Sequence, residues 1–118
     1  MKRLALSVLL LSLPAAVPAH HGWAWTTGKN IEIAGRVVEA KLGNPHGVVI
    51  LDVQGARWTV EVGQPWRNER AGLKDRDFAA GVRLRIAGEP SADPKARLIK
   101  AERIFIGDRR FDLYPERD

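Results

Sequence analysis

Residues 30–42 read Asn-Ile-Glu-Ile-Ala-Gly-Arg-Val-Val-Glu-Ala-Lys-Leu, an alternating stretch whose parity reverses in the middle. Ile31, Ile33 and Val37 share one parity; Val38, Ala40 and Leu42 share the other. Successive side chains of a strand point to opposite faces, so one flat strand cannot turn both sets toward a single core. An inserted residue resets the alternation, and Gly35 leaves room for a sharp bend. A long, bulged first strand belongs in a sheet that curls and closes, which also removes exposed edges.

The rest of the chain fits that frame. Gly43-Asn44-Pro45-His46-Gly47 is a turn cluster. Val48–Val53 is a short apolar run, and Gln54-Gly55 turns the chain into Arg57–Val62, with Trp58, Val60 and Val62 expected inward and Arg57, Thr59 and Glu61 outward. Pro65 then opens the one helical segment, about two turns long, and Gly72 suits its end. Leu73 and Phe78 are expected to plug the core from the loop beyond it. Residues 82–87 alternate again, and residues 88–96, with Pro90 and Pro94, read as a loop. Residues 98–106 form a fifth strand with a second parity shift, hence a second bulge. Gly107-Asp108 turns into a sixth strand over residues 109–114. The pattern predicts an all-β protein with one short helix: a small barrel of five to six strands resembling the oligonucleotide/oligosaccharide-binding (OB) barrel, with the helix between strands three and four.

Residues 1–19 have the three parts of a secretory signal: Lys2 and Arg3, an apolar run over residues 4–13, and Val17-Pro18-Ala19 with small residues at −3 and −1. Cleavage after Ala16 would put Pro14 at −3. The run is shorter than the roughly 20 residues that span a bilayer. The expectation is removal of residues 1–19, a start at His20, and one domain over residues 20–118, periplasmic or secreted, with no membrane span. The net charge is +5, of which Lys2 and Arg3 carry two units. The remaining surface mixes both signs, and with export this argues against nucleic acid.

Nucleophilic catalysis has little to work with. The chain has no cysteine, and Ser91 is the one serine beyond the leader. Glu39, Glu61 and Glu102 alternate with bases and read as solvated surface. No catalytic constellation is recognised.

Histidine remains. His20, His21 and His46 are the three histidines of the chain. A free N-terminal His20 can chelate a metal through its α-amine and ring; His21 can add its ring and the intervening amide nitrogen. Planar nitrogen donors favour Cu(II), with zinc second. The copper motif that needs histidine at the third position is absent, because Gly22 stands there. His46 is the further ligand, provided the fold brings its loop to the N-terminus. The segment from His20 to Ile31 can reach about 35 Å when extended, so convergence is permitted. An OB barrel would set the loop of His46 beside that of residues 88–96.

His20-His21-Gly22-Trp23, Asn44-Pro45-His46, a strand ending near Asp52, and Trp58-Thr59-Val60-Glu61 together resemble a family of small exported bacterial proteins defined only as a domain of unknown function. The chain departs from that pattern at Gly47, where a larger residue is usual, and at Gly81-Val82, which lacks a following acid. The resemblance implies export and a β-rich fold, and no activity. More loosely, the chain resembles small periplasmic OB-barrel proteins, some of which carry copper.

The expected function is therefore an exported metal-binding protein whose partner is a metal ion or another periplasmic protein, of open oligomeric state. The alternative is a non-catalytic module that holds a protein segment or glycan at a mouth built from Asn44, Pro45, Trp23 and Trp25. Were residues 23–25 extended, both tryptophans would share one face and cover the open end of the core.

Overall fold

The computed structural model describes residues 22–117. The leader expected over residues 1–19, its cleavage point, and His20 and His21 lie outside the described residues.

The first strand, β1 (Ile31–Lys41), carries the expected bulge. Val37 pairs with Leu51 and Glu39 with Ile50, so Val38 is the extra residue. Val37 is buried and Val38 is exposed, which is the parity switch read from the sequence. Gly35 sits where β1 leaves one neighbour for the other: a Cβ there would collide with the Asp52 carbonyl. The N-terminal half of β1 pairs with β4 (Arg83–Pro90) and the C-terminal half with β2 (Val48–Val53).

A tight turn joins β2 to β3 (Ala56–Glu61), and β3 pairs in parallel with β5 (Leu98–Ile106). That pairing closes a five-stranded barrel in the order β1-β2-β3-β5-β4, back to β1. The last strand, β6 (Arg109–Asp112), extends it from β5. The helix α1 (Pro65–Ala71) lies between β3 and β4, with Pro65 in its first turn and Gly72 at φ 98° after its last. The expected architecture is thus the observed one. Inside, Val49, Leu51, Val60, Leu84, Ile86, Ile99 and Ile104 are fully buried. Leu73 and Phe78 close one end as expected, Phe78 from a single 3₁₀ turn (Asp75–Phe78) that alternation does not reveal.

Two expectations need correction here, and the second bulge is found where the parity shift placed it. Residues 88–90 continue β4 instead of starting a loop. Gly88 permits this, because it lies against the Lys100 carbonyl where a side chain would collide. The bulge of β5 is at Glu102: Ala87 pairs with Arg103 and Gly88 with Ala101. Finally, residues 22–25 form a turn, closed by the Thr26 amide and hydroxyl donating to the Trp23 carbonyl at 3.1 and 2.8 Å. Trp23 and Trp25 are therefore not alternate residues of an extended segment.

Candidate functional site

Glu61 pairs with Lys100 across β3–β5, and Lys100 pairs with Glu89 across β4–β5. The three side chains form one row on the outer side of the wall, since their neighbours Val60 and Ile99 point inward. Outward on a barrel ordinarily means solvated. Here Glu61, Glu89 and Lys100 keep only 4%, 3% and 7% exposure, and Glu102, on the bulge of β5, keeps 1%. The expectation that Glu61 and Glu102 are solvated is wrong; Glu39 is exposed as expected.

The cover comes from both ends of the chain. Trp23 lies over this wall, with the Lys100 ammonium 4.6 Å and the Arg117 guanidinium 3.9 Å from its ring centre. The Tyr114 ring meets Trp23 edge-on at 5.0 Å. The Arg67 guanidinium of α1 stacks 4.1 Å from the Tyr114 ring and donates to the Leu113 carbonyl at 3.0 Å. Cations over aromatic faces are attracted by the ring quadrupole, more strongly once water is excluded. Desolvation and the Glu61 and Glu116 carboxylates push the Tyr114 phenol upward, against the Arg67 and Arg117 charges that lower it.

Beneath the rings the charges are matched. Arg117 binds Glu89 at 2.9 Å and Glu102 at 3.3 Å. Asn30 donates to Glu102 at 2.9 Å, and Arg103 lies 3.7 Å from the same carboxylate. Buried carboxylates are tolerated when paired and hydrogen-bonded in this way.

His46 stands at the edge of this layer. Its loop is tied to the end of β3 by the Gly47 amide donating to the Gly63 carbonyl at 3.0 Å and the Val62 amide donating to the Gly47 carbonyl at 2.9 Å. Gly63 is itself clamped by buried Asn68, which accepts from its amide at 2.9 Å and donates to its carbonyl at 3.0 Å. That brings His46 Nε2 to 3.6 Å from Glu61 Oε2. Glu61 Oε1 lies 3.4 Å from Lys100 Nζ, which donates to the Gly22 carbonyl at 2.9 Å. A relay of three contacts thus joins His46 to the residue that follows His21.

Of the expected mouth, Asn44 and Pro45 are exposed and joined by a cis peptide, and Trp23 and Trp25 are half-buried. The relay connects Trp23 to His46 through Lys100. Trp25 belongs elsewhere: its carbonyl accepts from Ala92, and Thr26 bridges to Ser91, so the loop after β4 receives the N-terminal segment. Among the described residues, no group of three or more His, Cys, Asp or Glu could hold a metal. His46 and Glu61 offer two donors. Glu89 and Lys100 were not singled out in the sequence, because the outward parity that marks them is the usual mark of solvated residues. Also among the described residues, no helix is long and apolar enough to cross a membrane.

A family model described as "Family of unknown function (DUF6152)" matches residues 8–100. The match spans the histidine pair, His46, Glu61 and Lys100, and stops short of Glu102, Tyr114 and Arg117. No curated protein matches the chain.

Proposed function

The chain belongs to the DUF6152 family of unknown function, and from that premise we propose that it is an exported metal-binding protein whose ion, Cu(II) foremost and zinc second, is held by His20, His21 and His46. Export rests on the three-part leader and frees the α-amine of His20 as a donor. The observation that carries the metal reading is the relay from the Gly22 carbonyl through Lys100 and Glu61 to His46. The relay anchors Gly22, and His20 and His21 precede it in the sequence by two residues and one, at about 3.8 Å of chain per residue. An α-amine and imidazoles make a nitrogen-rich donor set, which ranks Cu(II) above zinc. The donors must shed protons to bind, so metal uptake rises with pH through neutrality.

Metal content tests this. Protein that begins at His20 is expected to retain about one Cu(II) per chain. A version with an extra Met before His20 moves the α-amine out of position and should retain less, as should His46→Ala. Equal, negligible copper in all three would defeat the reading.

The alternative of a binding module for a protein segment or glycan has one observation in its favour. An open groove of about 430 Å³ lies between α1 and the 3₁₀ turn, lined by Leu42, Pro65, Leu73 and Phe78 with Glu69 and Lys74 at its edge. It stands open with the described residues 22–30 in place, and it is a different surface from the expected mouth, since none of Asn44, Pro45, Trp23 and Trp25 lines it. Its size suits a small ligand. Peptide or glycan binding that survives His46→Ala and is lost in Lys74→Glu would favour this second reading.

A further inference from the structure

The three outward carboxylates of the covered wall are not held alike. Glu89 accepts from Arg117 at 2.9 Å and Glu102 from Asn30 at 2.9 Å. Glu61, equally buried, has Lys100 at 3.4 Å and His46 at 3.6 Å. Charge-assisted hydrogen bonds of this kind are ordinarily about 2.7–2.9 Å long. Both contacts of Glu61 are therefore loose, in a setting where a carboxylate needs close partners. One of its oxygens faces the one described histidine.

We infer that Glu61 is the carboxylate ligand of the metal site and that Lys100 is a resident cation which metal entry displaces from it. The inference rests on the metal reading above and adds to it a fourth side chain and a built-in competitor. Lys100 does not need Glu61 to stay in place. Its ammonium already donates to the Gly22 carbonyl at 2.9 Å, lies 4.6 Å from the Trp23 ring and is paired in register with Glu89 on its other side. A divalent ion between Glu61 and His46 would supply the short contacts that the carboxylate lacks, while the ammonium falls back on its carbonyl and ring. Imidazole nitrogen with one carboxylate oxygen is a donor set that both Cu(II) and zinc accept. The exchange needs no bond broken within the chain.

The test uses protein beginning at His20, Cu(II) alone as the probe, and a competing chelator to measure affinity. Glu61→Gln keeps the shape and removes the charge; it is expected to weaken Cu(II) binding about tenfold or more. Lys100→Met removes the competitor and is expected to tighten binding severalfold. Lys100→Met leaves a buried carboxylate without its cation, so the double variant Glu61→Gln/Lys100→Met serves as the folded control. It should bind like Glu61→Gln alone, since the competitor matters only while the carboxylate is there. The Cu(II) electron paramagnetic resonance spectrum should change between wild type and Glu61→Gln as an oxygen donor is lost. Unchanged affinity and spectrum in Glu61→Gln, with copper still bound by the wild type, would overturn this inference and leave the histidine site standing. Absence of copper from the wild type itself would remove the metal reading and this inference with it.

Discussion

The barrel is packed on both sides of one wall, and the two sides are built on opposite principles. Inside, Val60, Leu84, Ile86, Ile99 and Ile104 are sealed by apolar contact alone. Outside, on the same β3–β5–β4 wall, Glu61, Glu89, Lys100 and Glu102 are sealed almost as completely, by charge pairing under Trp23, Tyr114 and Arg117. The inner side follows from the strands themselves. The outer side exists only because residues 22–30 and 113–117 are laid across it. Burial inside is non-directional and tolerant; burial outside holds only while each charge keeps its partners.

The sharpest contrast should come from single truncations on the two sides. Leu84→Ala leaves a cavity at a fully buried position and is expected to cost about 2–5 kcal/mol, read as a lowered urea midpoint. On the outer side, Glu102→Gln keeps the volume and removes the charge that Arg117 and Arg103 neutralise. The expected loss is about 1–3 kcal/mol. A neutral result there would mean that the pairs merely offset their own desolvation, and that the layer serves the site more than the fold.

Sequence reasoning reached the inner side and stopped at the outer one, for a physical reason. Alternation reports which face of a strand a residue occupies, and every inward residue of β3 and β5 follows from it. The switch at Val37/Val38 and the shift in β5 were both legible, because a bulge leaves a parity break. Glu61 and Glu102 were rightly assigned to the outward face. What covers that face is set by chain ends distant in sequence, and period-two patterning carries no trace of them. The strand assignment of residues 88–90 was hidden by Pro90 and Gly88, ordinary loop residues that here sit at a strand crossing and a strand end. Trp23 pointed to the site, as a large aromatic next to two histidines, but its partners Lys100 and Arg117 carried no local mark. His46 was legible as a site residue; its carboxylate neighbour was not.

The cover can be lifted without touching either layer beneath it. Trp23→Ala removes the ring over Lys100 and Arg117 and is expected to cost about 1 kcal/mol of global stability, less than either change above. Its local effect should be larger. Amide exchange at Lys100 and Glu102 should speed up while Leu84 and Ile86 stay protected, because only the outer side is opened. Equal loss of protection on both sides would erase the distinction and make the cover part of one cooperative core.

Tyr114 gives the finest test, because it separates the sides by pH alone. Its phenol sits above the ordinary value of 10.0, burial being the largest cause, with the Arg67 charge opposing it. The neutral form is thus favoured in the fold relative to the unfolded chain. Below pH 10 both states hold the proton, and stability does not depend on this group. As pH rises past 10 the unfolded chain loses the proton first, so it binds fewer protons than the fold and stability falls. The fall continues until the folded phenol also ionises. Wild-type protein should therefore show a lower urea midpoint at pH 11 than at pH 9, and Tyr114→Phe should reduce that drop. A drop of the same size in Tyr114→Phe would show that burial of this phenol is not the source of the alkaline sensitivity.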